Sequence, residues 1–277
     1  MEDSIFSYII YGLITGFSEF VPVSTLAHQY LFSHFFGFHS DTAFIRLMVY
    51  IGCLAAVLLS CGKRLIHIRR ELKVASLPKQ RRKRMPDMVA VLDARLVLTG
   101  CIPMVIALAF SQVLMNTFGS LLIMLPMLIL SGIAVYLPQY FAGGNKDSKS
   151  MSPRDGVLLG LMSAISVIPG ISRVGGLLCV GRIRGCSREY MLELSYLFGT
   201  AMIVGWILVQ IVCLILGGVA VTGWILFAGV LAASAAFAGG VAAIYLMRFL
   251  AVNQGFSGFA YYCWGLAVFC FAYYLIT

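Results

Sequence analysis

Long apolar runs constrain the fold of this chain more than any other feature of its sequence. A helix needs about 20 apolar residues to cross a bilayer, whereas strands of a membrane barrel are much shorter and alternate in polarity. Only 11% of the residues are charged, against about 25% in soluble domains. The sequence therefore predicts an all-α polytopic membrane protein with six transmembrane helices, over residues 43–60, 89–111, 121–141, 190–216, 224–247 and 256–276.

Two polar segments, each broken by a proline, interrupt the apolar pattern at residues 16–28 and 168–176. Each follows an apolar run, 5–20 or 156–168, that is short for a membrane crossing. Broken backbone at membrane depth is tolerated only where protein or water covers its polar groups. We therefore predict two re-entrant helical hairpins, each made of a helix, a break and a helix that returns to the same side.

The polar linker over residues 142–152 divides the chain into two halves with the same order of elements. Each half contains one hairpin followed by three spans. Because three spans end on the opposite side from where they began, the second half must be inverted relative to the first. The sequence thus predicts inverted repeats, 1–141 and 153–277, of the kind that brings broken helices together near the membrane midplane in transporters.

Positive charge is concentrated on one predicted side of the membrane. Ten of the 20 Lys and Arg residues lie at 63–84, and 17 of the 20 share a side when the basic loop 63–86 is placed in the cytoplasm. This asymmetry predicts that the first hairpin enters from outside, and it indicates anionic lipids, not nucleic acid, as partners of residues 63–84. No Lys or Arg occurs in the predicted outer loops, 37–42, 116–120 and 217–223.

The chain contains no recognisable motif for a cofactor or a metal. Its eight cysteines lack a Cys-x-x-Cys pair and lie mostly in apolar runs, which is typical of small packing residues. Neither a Walker loop, a zinc-ligand set nor a dinucleotide fingerprint is present. A divalent ion could assist the chemistry, but a single carboxylate in the first hairpin is a poor metal site, so we assign no metal or cofactor.

Glu19 and His28 are the ionisable residues of the first polar segment. A carboxylate at membrane depth is costly, so it is a functional candidate, with pairing for structure alone as the alternative. His28 is a candidate proton carrier, with a structural role at a helix end as its alternative. Asp93 and Arg95, near the start of a span, are interpreted as interfacial charges that reach lipid headgroups.

Arg173 is the cation of the second polar segment. A buried guanidinium keeps its proton and needs an anion, and its planar fork suits two phosphate oxygens. Ser172 adds a hydroxyl, while Gly170 lets the backbone approach a ligand closely. An internal salt bridge between Arg173 and Glu19 is the alternative, and the two roles are compatible. We predict that the two broken segments meet in one site.

These segments resemble the two motifs of a known family. Glu-Phe-Val-Pro-Val-Ser at 19–24, with His28 beyond it, and Pro-Gly-Ile-Ser-Arg at 169–173 are similar to those of the undecaprenyl-pyrophosphate phosphatase family, also called the bacitracin-resistance family. The resemblance implies removal of the terminal phosphate from undecaprenyl diphosphate, which regenerates the lipid carrier of cell-wall synthesis. It also implies inverted repeats with paired re-entrant hairpins in a bacterial plasma membrane, with the reaction facing outside.

The first family motif has two acids four residues apart, followed by Pro-x-Ser-Ser-x-x-His. Glu19 matches the second acid, Ser24 the first serine and His28 the histidine. Thr25 stands at the second serine, where the resemblance implies a hydroxyl that attacks or binds phosphate, and threonine keeps that hydroxyl. Thr15 stands in place of the first acid, so one carboxylate is missing.

The second family motif is Pro-Gly-x-Ser-Arg-Ser-x-x-Thr. Gly170, Ser172 and Arg173 match it and, with the serine of the first motif, are implied to bind the substrate. Val174 replaces the second serine and Leu177 the threonine, which removes two hydroxyls. The chain thus resembles a divergent member of the family.

The resemblance implies hydrolysis of a polyprenyl diphosphate, with four catalytic residues: Glu19, Thr25, His28 and Arg173. Thr25 or a water molecule would attack phosphorus and Glu19 or His28 would take the proton, or His28 would protonate the leaving group. The alternative is a transporter or binder that moves or holds a polyprenyl phosphate without hydrolysis, since inverted repeats suit alternating access. The sequence leaves the oligomeric state open, with a homodimer as one arrangement.

Overall fold

A computed structural model describes residues 3–39, 42–141, 144–217, 221–253 and 255–276. Within these ranges the chain contains no β-strand, and one isolated bridge pairs Lys146 with Cys186. The described residues form eleven α-helices: α1 (Ile5–Phe20), α2 (Thr25–Phe36), α3 (Ala43–Ser76), α4 (Met88–Ala109), α5 (Ser111–Phe118), α6 (Leu121–Tyr136), α7 (Pro153–Ile165), α8 (Arg173–Ile183), α9 (Arg188–Gly217), α10 (Gly223–Asn253) and α11 (Ser257–Ile276).

Among the described residues, six helices are long and apolar enough to cross a membrane: α3, α4, α6 with the 3-10 turn that extends it to Tyr140, α9, α10 and α11. Their surfaces carry large apolar side chains such as Leu59, Ile102 and Val268, each at least 63% exposed. Large apolar patches of this kind suit contact with lipid. The prediction of an all-α polytopic membrane protein is therefore confirmed, and the chain is an integral membrane protein.

Four shorter helices lie on either side of the two breaks that the sequence predicts. α1 and α2 have 16 and 12 residues and are separated by residues 21–24. α7 and α8 have 13 and 11 residues and are separated by residues 166–172. Each pair packs together. That the two pairs are re-entrant hairpins within a bilayer stays a prediction.

The basic loop predicted over 63–86 is wrong in its first half, because α3 continues to Ser76. Eight of the 14 residues at 63–76 are Lys, Arg, Leu or Glu, which are good helix formers, so the helix continues beyond its apolar run. The buried Glu71 carboxylate then holds the chain against the helix end. It accepts hydrogen bonds from Arg84 Nη2 at 2.5 Å and from the backbone N–H of Asp87 at 2.8 Å.

The predicted outer loop 116–120 is also shorter than expected, because α5 remains helical to Phe118. Its eight residues follow α4 almost without interruption, so the end of one apolar run did not mark the end of helical structure. Three other predicted loops include residues 40–41, 142–143 and 218–220, which lie outside the described residues.

Small residues let the shorter helices pack closely against longer ones. Gly12 and Gly16 of α1 face α10, and a methyl group at Gly16 would overlap the backbone of Ala236. Gly156 and Gly160 of α7 have the same spacing and face α4, where a methyl group at Gly160 would overlap the Gly100 backbone. Such small-residue contacts allow close approach of membrane helices. α1 of the first half thus packs against α10 of the second half, and α7 of the second half packs against α4 of the first. Inverted repeats would produce this reciprocal packing, although the repeats 1–141 and 153–277 stay a prediction.

Asp93 is not the interfacial charge that its position in the sequence suggested. Its side chain is only 2% exposed and accepts hydrogen bonds from Arg64 Nη2 and from the Tyr190 hydroxyl, both at 2.8 Å. A buried carboxylate needs such partners, because desolvation without them is costly. Arg95, in contrast, is exposed. Asp93 therefore joins α3, α4 and α9 instead of reaching a headgroup.

Candidate active site

Both breaks in the chain end at a serine that begins the next helix. Ser24 precedes α2 and its Oγ accepts a hydrogen bond from the backbone N–H of Ala27 at 3.4 Å. Ser172 precedes α8 and accepts from the N–H of Gly175 at 3.1 Å. A serine in this position satisfies one of the free amides of a helix N-terminus. The same local signal therefore starts α2 and α8 beside the site.

Hydrogen bonds with the side chains of Ser24 and Ser131 hold the second break, residues 166–172, in position. Its Gly170 has a φ of 103°, which favours glycine, and donates its N–H to Ser24 Oγ at 2.9 Å. Ser131 of α6 donates its hydroxyl to the Gly170 carbonyl at 2.6 Å and accepts the Ser172 N–H at 2.8 Å. These bonds satisfy buried backbone N–H and C=O groups that have no hydrogen-bond partner within a helix. The bond from the Gly170 N–H to Ser24 Oγ also joins the two broken segments directly.

Glu19 and Arg173 form the polar centre where the segments meet. Arg173 Nη1 lies 2.5 Å from Glu19 Oε1, and Arg173 Nη2 donates to the Glu19 backbone carbonyl at 2.8 Å. The two residues are only 5% and 7% exposed. The prediction that the two broken segments meet is therefore confirmed as geometry. Arg173 Nε is buried and has no hydrogen-bond partner among the described residues.

A small cavity of about 20 Å³ lies beside this ion pair, and Thr25 and Val174 also line it. Space of this size is enough for roughly one water molecule. The Thr25 hydroxyl forms no hydrogen bond with any described residue, so it is free to interact with a ligand. Tyr50 and Trp206 form an aromatic wall, with ring centroids 5.8 Å apart and planes 4° from parallel.

His28 lies outside this cavity and lines a neighbouring groove. Its Nδ1 is 2.7 Å from the Ser24 carbonyl, and its Nε2 is 2.6 Å from the Tyr262 hydroxyl. Because a carbonyl only accepts, Nδ1 carries a proton, and in the neutral ring Nε2 accepts from the tyrosine. His28 thus contacts the groove and is not among the residues that line the Glu19–Arg173 cavity.

The groove beside His28 measures about 1070 Å³ and is mainly apolar. It lies between α1, α10 and α11, with Phe17, Ala242 and Phe259 among its lining residues. Val23 borders both the groove and the small cavity, so the two spaces adjoin. A lipid tail is the kind of ligand whose chemistry matches such a surface.

The three departures from the family motifs occupy different surroundings. Thr15 is fully buried and its hydroxyl accepts from Gln29 Nε2 at 3.4 Å, away from the cavity lining. Leu177 is also fully buried in the apolar core. Val174, in contrast, lines the cavity. Of the three, only Val174 changes the surface of the cavity itself.

Residues that sequence reasoning missed complete the site. Ser131 stands out only as a serine within the apolar α6, and Tyr50 and Trp206 as aromatic residues with polar tips in spans. A polar atom within a membrane span usually has a hydrogen-bond partner in the protein interior. This is the one sequence signal that could have identified these residues. Across the described ranges, no three His, Cys, Asp or Glu side chains cluster as a metal site would require.

The fold and site define a polytopic α-helical membrane protein with a buried acid–guanidinium pair at two helix ends, next to a lipid-sized groove. The model of one family, bacitracin resistance protein BacA, matches residues 8–269 of the chain. The chain belongs to this family.

Relatives from several bacteria share this similarity over much of their length. An undecaprenyl-diphosphatase from a Nocardioides species is 32% identical over 201 residues, 71% of each chain. An undecaprenyl-diphosphatase from Halothermothrix orenii is 27% identical over 94% of each chain. Undecaprenyl-diphosphatase 3 from Bacillus cereus is 28% identical over 94% of this chain and 93% of its own.

Proposed function

We propose that the protein hydrolyses undecaprenyl diphosphate, or a related polyprenyl diphosphate, to the monophosphate and phosphate, and so recycles the cell-wall lipid carrier. The observation that carries this proposal is the Arg173 guanidinium. It is buried beside Glu19 and the free Thr25 hydroxyl, and its Nε–H has no partner. A buried donor without an acceptor is uncommon and is well suited to a phosphate oxygen. The names of the similar proteins agree with this substrate.

The substrate has two chemically different parts, and the site offers a surface for each. The prenyl chain would lie in the apolar groove between α1, α10 and α11. The diphosphate would enter at Val23, where the groove adjoins the small cavity. Since that cavity is about 20 Å³, the phosphate must displace Glu19 from Arg173 and widen it. Ser24, Ser172 and Gly170 would then border the bound phosphate, as the family motif implies.

This displacement couples binding to catalysis. Phosphate oxygens would take over the Arg173 hydrogen bonds, which neutralises charge in the transition state. Glu19, released from the guanidinium, would accept the proton of the attacking group, either the Thr25 hydroxyl or a water molecule. The P–O bond to the lipid phosphate then breaks. If Thr25 attacks, a water molecule subsequently hydrolyses the phosphothreonine. His28, at the adjoining groove, would take a proton from water on Nε2, in place of its bond with Tyr262, and give that proton to the leaving polyprenyl phosphate.

Phosphate release from undecaprenyl diphosphate by the purified protein tests the proposal. Glu19→Gln and Arg173→Gln are expected to lower the rate by about 100-fold or more, since they remove the base and the charge partner. Glu189→Gln and Arg95→Gln, which change exposed residues, are the matched controls and should retain activity. If the unaltered protein releases no phosphate, or if all five proteins release it equally, the proposed enzymatic function is wrong.

Substitution at Thr25 distinguishes the two attacking groups. Thr25→Ser keeps a hydroxyl and should retain most of the activity, whereas Thr25→Val keeps the shape and removes the nucleophile. If Thr25 attacks, the valine variant loses about 1000-fold or more of the rate. If water attacks, the loss is about 10-fold, the value of one hydrogen bond to a charged group. Trapping of a phosphorylated Thr25 would identify the covalent route.

A second candidate function, transport or binding of a polyprenyl phosphate without hydrolysis, draws support from Val174. This apolar residue stands on the cavity wall where the family motif has a hydroxyl. Movement of a polyprenyl phosphate across liposomes that contain the protein, with no phosphate released from the diphosphate, would favour transport.

The proposed location is the bacterial plasma membrane, with residues 63–86 in the cytoplasm and the site open towards the outer face. Exposed basic side chains at the end of α3 would contact anionic lipids. A homodimer is compatible with this arrangement. Labelling of a cysteine introduced at Lys83 or at Asn116, in a protein whose eight native cysteines are replaced by alanine, from either side of sealed vesicles tests the orientation. Equal labelling of both positions from one side would contradict it.

A further inference from the structure

A second polar pocket, of about 240 Å³, adjoins the apolar groove. It shares Gly255 and Ser257, at the turn between α10 and α11, with the groove lining. Arg182 and Arg188 also line it. The groove therefore has two polar neighbours, the Glu19–Arg173 cavity at Val23 and this pocket at the α10–α11 turn.

The two arginines of this pocket lack a carboxylate partner within 4.0 Å in the described parts of the chain. Arg182 donates weakly to the carbonyls of Cys186 and Phe141, at 3.4 and 3.1 Å, and its buried Nε has no partner there. The Arg188 guanidinium lies against the backbone at Gly255. Arg184, between them in sequence, instead pairs with Asp155 at 2.9 Å. The pocket thus concentrates uncompensated positive charge.

This pocket is separate from the site built on Arg173. Arg173 is the first residue of α8 and Arg182 lies in its last turn, nine residues later. At 1.5 Å per residue, the two positions are about 14 Å apart along the helix. A single phosphate cannot contact both arginines, whereas the groove runs past both polar ends.

We propose that Arg182 and Arg188 form a second binding site for the phosphate of an anionic lipid, whose hydrocarbon chain lies in the groove. A guanidinium pair without a carboxylate matches a phosphate headgroup in charge, and the free Arg182 Nε–H matches one of its oxygens. The apolar lining between the pocket and Val23 matches a long chain. The site requires no hydrolysis, so it stands or falls independently of the enzymatic function.

Binding of geranylgeranyl monophosphate, counted by native mass spectrometry on the full chain in detergent, tests the proposal. The experiment uses the Glu19→Gln, Arg173→Gln double variant, which leaves no buried charge unpaired, so that the remaining phosphate binding reports on the second site. Adding Arg188→Gln or Arg182→Gln is expected to weaken this binding about 10-fold to 100-fold, the range for hydrogen bonds to charged groups. Adding Arg154→Gln, an exposed arginine of α7, is the matched control and should leave binding unchanged.

Three outcomes would overturn the proposal. The first is binding that is equal in the Arg188→Gln, Arg182→Gln and Arg154→Gln proteins. The second is equal binding of geranylgeraniol, which would show that the phosphate contributes nothing. The third is inorganic phosphate that binds as tightly, with the same dependence on Arg188, which would identify a free-phosphate site.

Arg188→Gln is the decisive variant, because Arg188 forms no hydrogen bond within the described residues and its loss should not disturb folding. A thermal midpoint equal to that of the Arg154→Gln protein verifies this. Phosphate release is measured separately with Arg173 intact, so failure of the enzymatic proposal leaves the binding result standing.

Discussion

The two broken segments are alike in their construction and different in their chemistry. α1 and α7 each carry two glycines four residues apart that contact a longer helix, and α2 and α8 each begin at a serine cap. The first segment supplies the acid Glu19 and the hydroxyl of Thr25, whereas the second supplies the guanidinium of Arg173. Neither segment forms the site alone, so a similar scaffold serves two complementary roles.

The surroundings of the two segments differ as well. The second is fixed by Ser131, which bonds to the backbone at Gly170 and Ser172, two positions within the break. The first borders the apolar groove through Val23 and His28. Under the proposed function, the second segment would hold the phosphate in a fixed position, while the first would bring the reacting groups and contact the lipid.

The largest effect should come from breaking the link between the segments. Glu19→Gln and Arg173→Gln are each expected to destabilise the protein by about 3–5 kcal/mol, because each leaves a buried charge without its partner. The double variant should lose less than the sum, since it leaves no unpaired charge. Unfolding in mixed detergent measures all three. Additive losses would mean that the ion pair does not couple the segments.

The glycine contacts test whether the two scaffolds are equivalent. Gly16→Ala and Gly160→Ala would each place a methyl group against the backbone of another helix, and should destabilise by about 1–3 kcal/mol. Gly62→Ala is the matched control, because nothing lies within 4 Å of its position, and should stabilise α3 slightly. The same unfolding assay applies. A large loss at only one of the two helices would contradict equivalent packing.

Ser131→Ala removes the side-chain hydrogen bonds that hold the second segment and have no counterpart described for the first. It leaves the Gly170 carbonyl and the Ser172 N–H without a partner, and should destabilise by about 1–3 kcal/mol. Ser195→Ala is the control, since that equally buried serine bonds only to a carbonyl of its own helix. Hydrogen exchange at Ser172 should increase in the first variant. Unchanged exchange would show that Ser131 does not hold the segment.

The smallest effect should come from Val174→Ser, which restores a hydroxyl on the cavity wall. One added hydrogen bond to the phosphate, worth about 1 kcal/mol, should raise kcat/KM for undecaprenyl diphosphate about 5-fold. Leu177→Thr is the comparison, because it restores a family hydroxyl away from the cavity and should only reduce stability. A gain in Leu177→Thr that matches Val174→Ser would contradict the distinction between these positions.

The sequence by itself determined the class of fold and the principal contact of the site. Apolar runs of membrane length fix six spans, since hydrocarbon excludes other solutions for the backbone. Pro22 and Pro169 predict the two breaks. The pairing of Glu19 with Arg173 is expected from the sequence, because burying an acid or a guanidinium without a partner of opposite charge costs free energy. Local pattern and electrostatic necessity were sufficient for these features.

Only the tertiary structure decided what lies around that contact. It pairs His28 with Tyr262, 234 residues away, and so places the histidine at the groove instead of in the cavity. It also assigns Ser131 to the second break, buries Asp93 and brings Arg182 and Arg188 into one pocket. Such contacts depend on how helices distant in sequence pack and turn against one another, which apolar periodicity along a single helix does not specify.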